Sequence, residues 1–195
     1  MKFFIASKNK HKIGEFKRIL EPLGFEVVCE NDLNLALEDV DETGETFLEN
    51  ALIKAKACCV ATNMPSIADD SGLCVDYLDG APGVYSARFA GEPVDNDKNN
   101  EKLLTLLKNV PFKERTARFE CCIACVFPDG REFTVSGVCN GHIADDYCGK
   151  NGFGYDPLFV SSIGCFGELT DSEKDSVSHR GNALRKFAEE IGKYI

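Results

Sequence analysis

Runs of apolar residues recur along the chain with two periods, about two and about 3.6, and the period at each place predicts the element. "KFFIA", Lys2 to Ala6, is short, apolar and β-prone, and predicts a strand. From Lys10 onward Ile13, Phe16, Leu20 and Leu23 recur at helical spacing, and Gly24 ends that helix before a second strand over "FEVVC", Phe25 to Cys29. Thr46 with Glu49 forms a capping-box pattern ahead of a helix whose face carries Leu48, Leu52, Ala55 and Cys59. "SIAD", Ser66 to Asp69, predicts a short strand, and "GLCVDYL" continues extended. A Gly- and Pro-punctuated loop follows, then a helix from about Asp97 to Lys108 with Leu103, Leu104 and Leu107 inward.

From Arg115 the period falls to two. "TARFECCIACVF", the turn "PDGR" and "EFTVSGVCNGHIA" predict a hairpin. "GKNGFGYDPLFV" predicts a loop and then a strand, and the segment from Thr170 to Ile191 is mostly helical, with Ala183, Leu184, Phe187 and Ile191 on one face. A β-α-β opening and helices around a mixed sheet predict an α/β fold of two lobes with a central cleft. With no repeat, low-complexity tract or linker, residues 1–195 are expected to form one domain.

Composition narrows the function. No apolar run approaches the ~20 residues of a membrane span. "MKFFIASKNK" has too short an apolar stretch for a secretory signal, so a cytoplasmic protein is expected. A net charge of −10 argues against a nucleic-acid partner, which demands clustered Lys and Arg. Small anions remain possible ligands through a local basic pocket or a bound cation. The ten cysteines lack any paired metal-ligand spacing. Cys122 and Cys125 lie three apart on a predicted strand and so point to opposite faces. Reduced, buried thiols serving as small apolar residues are expected.

Four constellations carry candidate chemistry. "SKNKHK", Ser7 to Lys12, lies at a strand-to-helix junction, where backbone N–H groups and lysines attract phosphate; the Walker spacing is absent. Asp69-Asp70, with Glu42 in "VDETGET", offers carboxylate oxygens suited to Mg²⁺. Adjacent acids on a strand point to opposite faces, so Asp70 is expected to face the site and Asp69 to hold the turn. In "GFGYDPLF", Gly152 and Gly154 permit close backbone approach, and Phe153 and Tyr155 offer ring faces to a base; Asp156 is pushed extended by Pro157. Lys174 and "SHRGNAL" place His179 and Arg180 where the last helix begins or kinks at Gly181, and both are donors.

In sequence order, "SxNxxK", "ETGxTFxENAxxKA", "ADDSGLxV", "GAPGVYSARFAGE", "GFGYDPLF" and "SHRGxAL" closely resemble the inosine triphosphate pyrophosphatase (Ham1-like) family of dITP/XTP pyrophosphatases, from Ser7 to Phe187. The resemblance implies an elongated mixed α/β sheet with two lobes, usually in a homodimer. It implies that Ser7, Lys8, Asn9, Lys10, His11 and Lys12 hold the triphosphate. Asp70 is implied as catalytic acid and metal ligand, Glu42 as a second Mg²⁺ carboxylate, and Ser71 as a substrate contact. Phe153, Gly154, Tyr155, Asp156, Lys174, His179 and Arg180 are implied to form the base pocket. Lys54 and Arg88 match positions near the phosphates.

The reaction so implied hydrolyses dITP, ITP or XTP to the monophosphate and pyrophosphate, with a 6-oxo acceptor read by donors from His179, Arg180 or a backbone N–H. Two alternatives stand beside it. One is a Maf-like pyrophosphatase acting on pyrimidine or modified nucleotides; the other is a nucleotide-binding regulator without turnover.

Overall fold

The computed structural model describes all 195 residues. Seven strands and six α-helices follow one another along the chain. They are β1 (Lys2–Ile5), α1 (Lys10–Leu20), β2 (Glu26–Val28), α2 (Glu30–Leu33), α3 (Phe47–Thr62), β3 (Ser66–Val75), α4 (Asn96–Leu107), β4 (Thr116–Val126), β5 (Glu132–Ile143), β6 (Phe159–Ser161), β7 (Gly164–Cys165), α5 (Asp171–Val177) and α6 (His179–Glu190). The strands hydrogen-bond in the order β2-β1-β3-β4-β5-β6-β7. β1 runs parallel to β2 and β3, and β6 antiparallel to β5 and β7, so the α/β sheet is mixed as expected. No helix is long and apolar enough to cross a membrane.

The chain divides into two compact units. One comprises Met1–Asp70, Cys121–Gly137 and Arg180–Ile195, and the other Ser71–Glu120 and Val138–His179. In the first, Phe3, Ile5, Phe16, Leu20, Phe133, Leu184 and Phe187 form one core. Along β4 the side chains alternate: Cys121, Ile123 and Cys125 enter this core, while Ala124 and Val126 join a second one with Ala51, Ala55 and Ala68. Cys122 packs against that second core, so Cys122 and Cys125 do point to opposite faces. In the second unit, Leu73, Leu103, Leu107, Phe119, Tyr155, Phe159 and Phe166 form the core.

Local chemistry sets several boundaries. Asn9 caps α1 by accepting from the backbone N–H of His11 (2.9 Å) and Lys12 (3.3 Å). Gly24 turns the chain out at φ +87°, as the sequence predicts. Thr46 and Glu49 make the predicted capping box on α3. The buried face of α3 differs from expectation: it carries Phe47, Ala51, Ala55, Cys58 and Cys59, while Leu48 is exposed. Small residues let α3 approach the sheet closely, a preference that size-blind periodicity misses. "SIAD" and "GLCV" form one strand of ten residues, all buried except Ser71. Burial on both faces is what a central strand of such a sheet requires.

The cysteine expectation needs one correction. Eight thiols are free, seven of them buried, but Cys148 and Cys165 form a disulfide with a Cα–Cα distance of 6.2 Å. The pair was invisible in sequence because the register of β7 and the path of the preceding loop bring the two together. It closes the loop that contains Gly152 to Asp156. A loop of this length, its cysteines 17 positions apart, stabilises a fold by about 3 kcal/mol in the chain-entropy account. Thiol titration of the denatured, unreduced protein should therefore count eight groups, rising to ten after reduction. Ten before reduction would mean that the bond does not form in solution.

Candidate active site

β3 carries Asp69 and Asp70 in its middle, both buried, with 3% and 7% of their surfaces exposed. Strand alternation sends them to opposite faces, and each face solves its charge differently.

Asp69 does not hold a turn, as the sequence suggested. Its Oδ2 accepts from Arg180 Nη2 (2.8 Å) and Nε (3.1 Å), and Lys12 Nζ lies 3.0 Å away. Arg180 also donates a short hydrogen bond from Nη1 to Glu15 Oε2. The first turn of α1, the first residues of α6 and the middle of β3 therefore meet in one buried ionic cluster. Burial pushes the Asp69 carboxyl up, but Arg180, Lys12 and Lys54 outweigh it and hold the group far below the usual carboxylate range.

On the other face, Asp70 Oδ1 accepts from Lys54 Nζ (3.0 Å) and Oδ2 from Asn50 Nδ2 (3.3 Å). The same Lys54 ammonium donates to Glu42 Oε1 (3.1 Å). Asn50 and Lys54 lie one helical turn apart on α3 and so share a face. Asn50 also anchors the loop that bears Glu42, because its Oδ1 accepts from Gly44 N–H (2.8 Å). Gly44 fits only as glycine: a Cβ there would stand 2.6 Å from Glu49 Cβ and 2.7 Å from Asn50 Oδ1. Burial raises the Asp70 carboxyl above its usual range, and Lys54 and Lys12 offset this only in part. Burial lowers the Lys54 ammonium, but Asp70, Asp69 and Glu42 reverse that and raise it.

The "SKNKHK" segment is divided. Ser7 Oγ accepts from Asn9 N–H (3.2 Å), and the Asn9 side chain serves its own helix. Lys8 is exposed and binds Asp39 (2.6 Å) and the Leu37 carbonyl (3.2 Å). Lys10 and His11 are exposed at the helix start. Of the six residues, Lys12 alone reaches the Asp69 cluster. Arg180 was expected to read a base; instead its guanidinium is 1% exposed and engages Asp69 and Glu15.

In the second unit, Asp156 is buried, and its Oδ2 accepts from Lys174 Nζ (2.6 Å) and Phe153 N–H (2.8 Å). The Lys174 ammonium also lies 4.7 Å from the Phe153 ring centroid. Gly152, at φ +75°, leaves no room for a Cβ because Asp156 Oδ2 occupies that space. Phe153, Asp156 and Lys174 thus touch one another within one small cluster.

Two members of the expected base pocket are core residues. Tyr155 is 5% exposed and donates its hydroxyl to the Ser86 carbonyl (2.9 Å). The His179 ring stacks on Phe119 with centroids 4.6 Å apart. Sequence reasoning placed both by motif; what it lacked was the packing partner. Ser71, the first residue of the second unit, is half-buried on β3. Glu15, Asn50 and Lys54 were the residues whose importance the sequence understated. A buried glutamate among the apolar positions of α1 is a signal that a cation faces it.

Removing one partner of a buried ion pair strands the other charge and costs about 3–5 kcal/mol. Arg180→Met should therefore lower the thermal midpoint by about 10 °C or more, as read by circular dichroism. A midpoint near wild type would show that the Asp69 cluster does not carry the fold.

The chain is similar to known proteins in both sequence and fold. The family model described as "Ham1 family" matches residues 3–190. A dITP/XTP pyrophosphatase of Desulforamulus reducens is 49% identical over 97% of this chain and 94% of its own length. A dITP/XTP pyrophosphatase of Bacillus subtilis is 47% identical over 94% of this chain and 93% of its own. The solved structure of the Staphylococcus aureus Ham1 protein superposes with a TM-score of 0.86 at 40% identity, covering 100% of both chains. Matched over nearly all its length in sequence and in fold, this chain belongs to the Ham1 family.

Proposed function

We propose that the protein hydrolyses non-standard purine nucleoside triphosphates, dITP, ITP and XTP, to the monophosphate and pyrophosphate. The observation that carries this is the Asp70–Lys54–Glu42 arrangement: two carboxylates converge on one ammonium, in a chain whose relatives are dITP/XTP pyrophosphatases. Asp70 Oδ1 and Glu42 Oε1 are hard oxygen donors brought together from a strand and a loop, the donor type that Mg²⁺ prefers. No group of three or more His, Cys, Asp or Glu side chains is arranged to hold a metal ion by itself. Two carboxylates fit an ion that completes its shell with phosphate oxygens and water. When bound, Mg²⁺ would offset the charge that builds on the phosphate oxygens during hydrolysis.

The remaining roles belong to side chains. Asp70, raised by burial, suits a general base that takes the proton of a water attacking the α-phosphorus. Lys54 and Lys12 supply positive charge against the polyphosphate and the leaving pyrophosphate. The start of α1, with Ser7 to Lys12, contributes the positive end of a helix and its lysines to the same anion. Phe153, Asp156 and Lys174 are assigned to the base, with Phe153 as the stacking ring. Arg180 and His179 are assigned to positioning within their own clusters. A homodimer and a cytoplasmic site of action, cleaning the free nucleotide pool, complete this proposal.

Pyrophosphate release should be fastest with dITP and XTP, far slower with dATP, dTTP and UTP, and dependent on added Mg²⁺. Turnover of dTTP above dITP would replace this reading with a pyrimidine-directed one. Asp70→Asn should reduce dITP turnover by at least about 100-fold while the protein still melts cooperatively. Near wild-type rates in that variant would remove Asp70 from the chemistry.

A further inference from the structure

α4 presents two adjacent buried asparagines, Asn99 and Asn100, each 2% exposed. They serve different loops. Asn99 Oδ1 accepts from Ala90 N–H (2.6 Å) and its Nδ2 donates to the Ala87 carbonyl (2.9 Å). Asn100 Nδ2 donates to the Gly154 carbonyl (3.0 Å), inside the "GFGYDP" turn. Asn100 Oδ1 is buried and has no partner in the chain.

The Gly154 carbonyl belongs to the same planar peptide as the Tyr155 N–H. In a trans peptide the two point in opposite directions, so gripping one aims the other. The flanking polar groups of the turn are occupied: Phe153 N–H by Asp156 Oδ2 (2.8 Å), the Phe153 carbonyl by Asp156 N–H (3.2 Å), and the Tyr155 carbonyl by Leu158 N–H (2.9 Å). The Tyr155 hydroxyl is occupied by Ser86 and its ring by the core. The Tyr155 N–H makes no hydrogen bond within the chain, although its residue is 5% exposed. Buried backbone donors are almost always paired, so an open one, held in a fixed direction beside Phe153, is a donor kept for something that binds.

We propose that the Tyr155 N–H reads the 6-oxo acceptor of the purine, and that Asn100 is the positioning residue that aims it. This rests on the assignment of the Phe153–Asp156 segment to the base. A fixed N–H donor pairs with the 6-oxo group of hypoxanthine or xanthine and opposes the 6-amino group of adenine, which is itself a donor. Gly154, at φ +60°, gives the turn the left-handed conformation that carries this peptide past Asn100. The donor treats guanine as it treats hypoxanthine, so rejection of guanine lies elsewhere.

The test compares dITP with the triphosphate of purine deoxyriboside, which lacks any 6-substituent, and with dATP. Asn100→Asp keeps the shape but sets a carboxylate oxygen against the Gly154 carbonyl, which should turn the peptide. KM for dITP should rise about tenfold with kcat within about twofold, and the preference for dITP over the 6-unsubstituted nucleotide should shrink by the same factor. Asn100→Ala, which removes the grip without adding charge, should shift both quantities in the same direction by less, and decides the matter if the Asp variant does not fold. Asn99→Ala, equally buried, should lower thermal stability and leave the nucleotide preference alone.

Unchanged KM and preference in both Asn100 variants, or an equal loss of preference in Asn99→Ala, would overturn the assignment while leaving the pyrophosphatase intact. A wild-type protein with no preference for dITP over dATP would overturn the functional reading and this inference with it.

Discussion

Two neighbouring carboxylates buried in the middle of a central strand set the constraint under which the first unit is built. Neither can ionise there without a cation, and because strand alternation turns them to opposite faces, each makes its direct ion pairs with different side chains. The chain meets the two demands unequally. Behind Asp69, two carboxylates (Asp69 and Glu15) face two cations (Arg180 and Lys12), so the cluster is charge-balanced. In front, two carboxylates (Asp70 and Glu42) share the single ammonium of Lys54, and one negative charge is left over. Burial pushes both aspartates up; around Asp69 the cations, Arg180 first, outweigh it and hold the carboxyl far down, whereas around Asp70 Lys54 and Lys12 offset it only in part and the carboxyl stays up.

An imbalance of this kind marks the place that lacks a cation. Asp156 in the second unit makes the contrast: it is as buried as Asp69, and one lysine together with one backbone N–H satisfies it. The surplus negative charge around Lys54 is the feature that a divalent cation would complete. It also answers how a chain of net charge −10 could hold a polyphosphate. The protein needs no basic surface if a cation enters with the anion and the two lysines stand nearby.

Much of this was legible along the chain because it is local. The capping box at Thr46 and Glu49, the Gly24 helix stop and the β4–β5 hairpin each depend on residues within a few positions of one another. So does the buried face of α6, where Ala183, Leu184 and Phe187 are fully enclosed. The alternation that separates Asp69 from Asp70 was also readable, since it follows from strand geometry alone. What was not legible was partner choice over distance. Arg180 stands 111 positions from Asp69 and 165 from Glu15, and no periodicity links them. A donor-rich "SHR" triplet looks the same whether it faces a ligand or a buried carboxylate. Cys148 and Cys165 likewise look like any other pair among ten until the loop between them is traced.

Cysteine usage around the ionic cluster follows from the same constraint. Cys121 lies beside Asp69, its sulfur 4.0 Å from Oδ2, in a position where a larger residue would push the strands apart and a second acid would break the charge balance. Burial, reinforced by Asp69, drives its thiol strongly upward, so the group stays neutral and contributes only a weak donor. Cys121, which shares a core with Ile123 and Cys125, thus lines the carboxylate without competing for Arg180. A neutral wall of this kind excludes water from the Asp69–Arg180 pair, and the pair's rigidity in turn fixes the strand that presents Asp70. The chemistry on one face of β3 thus depends on how dry the other face is kept.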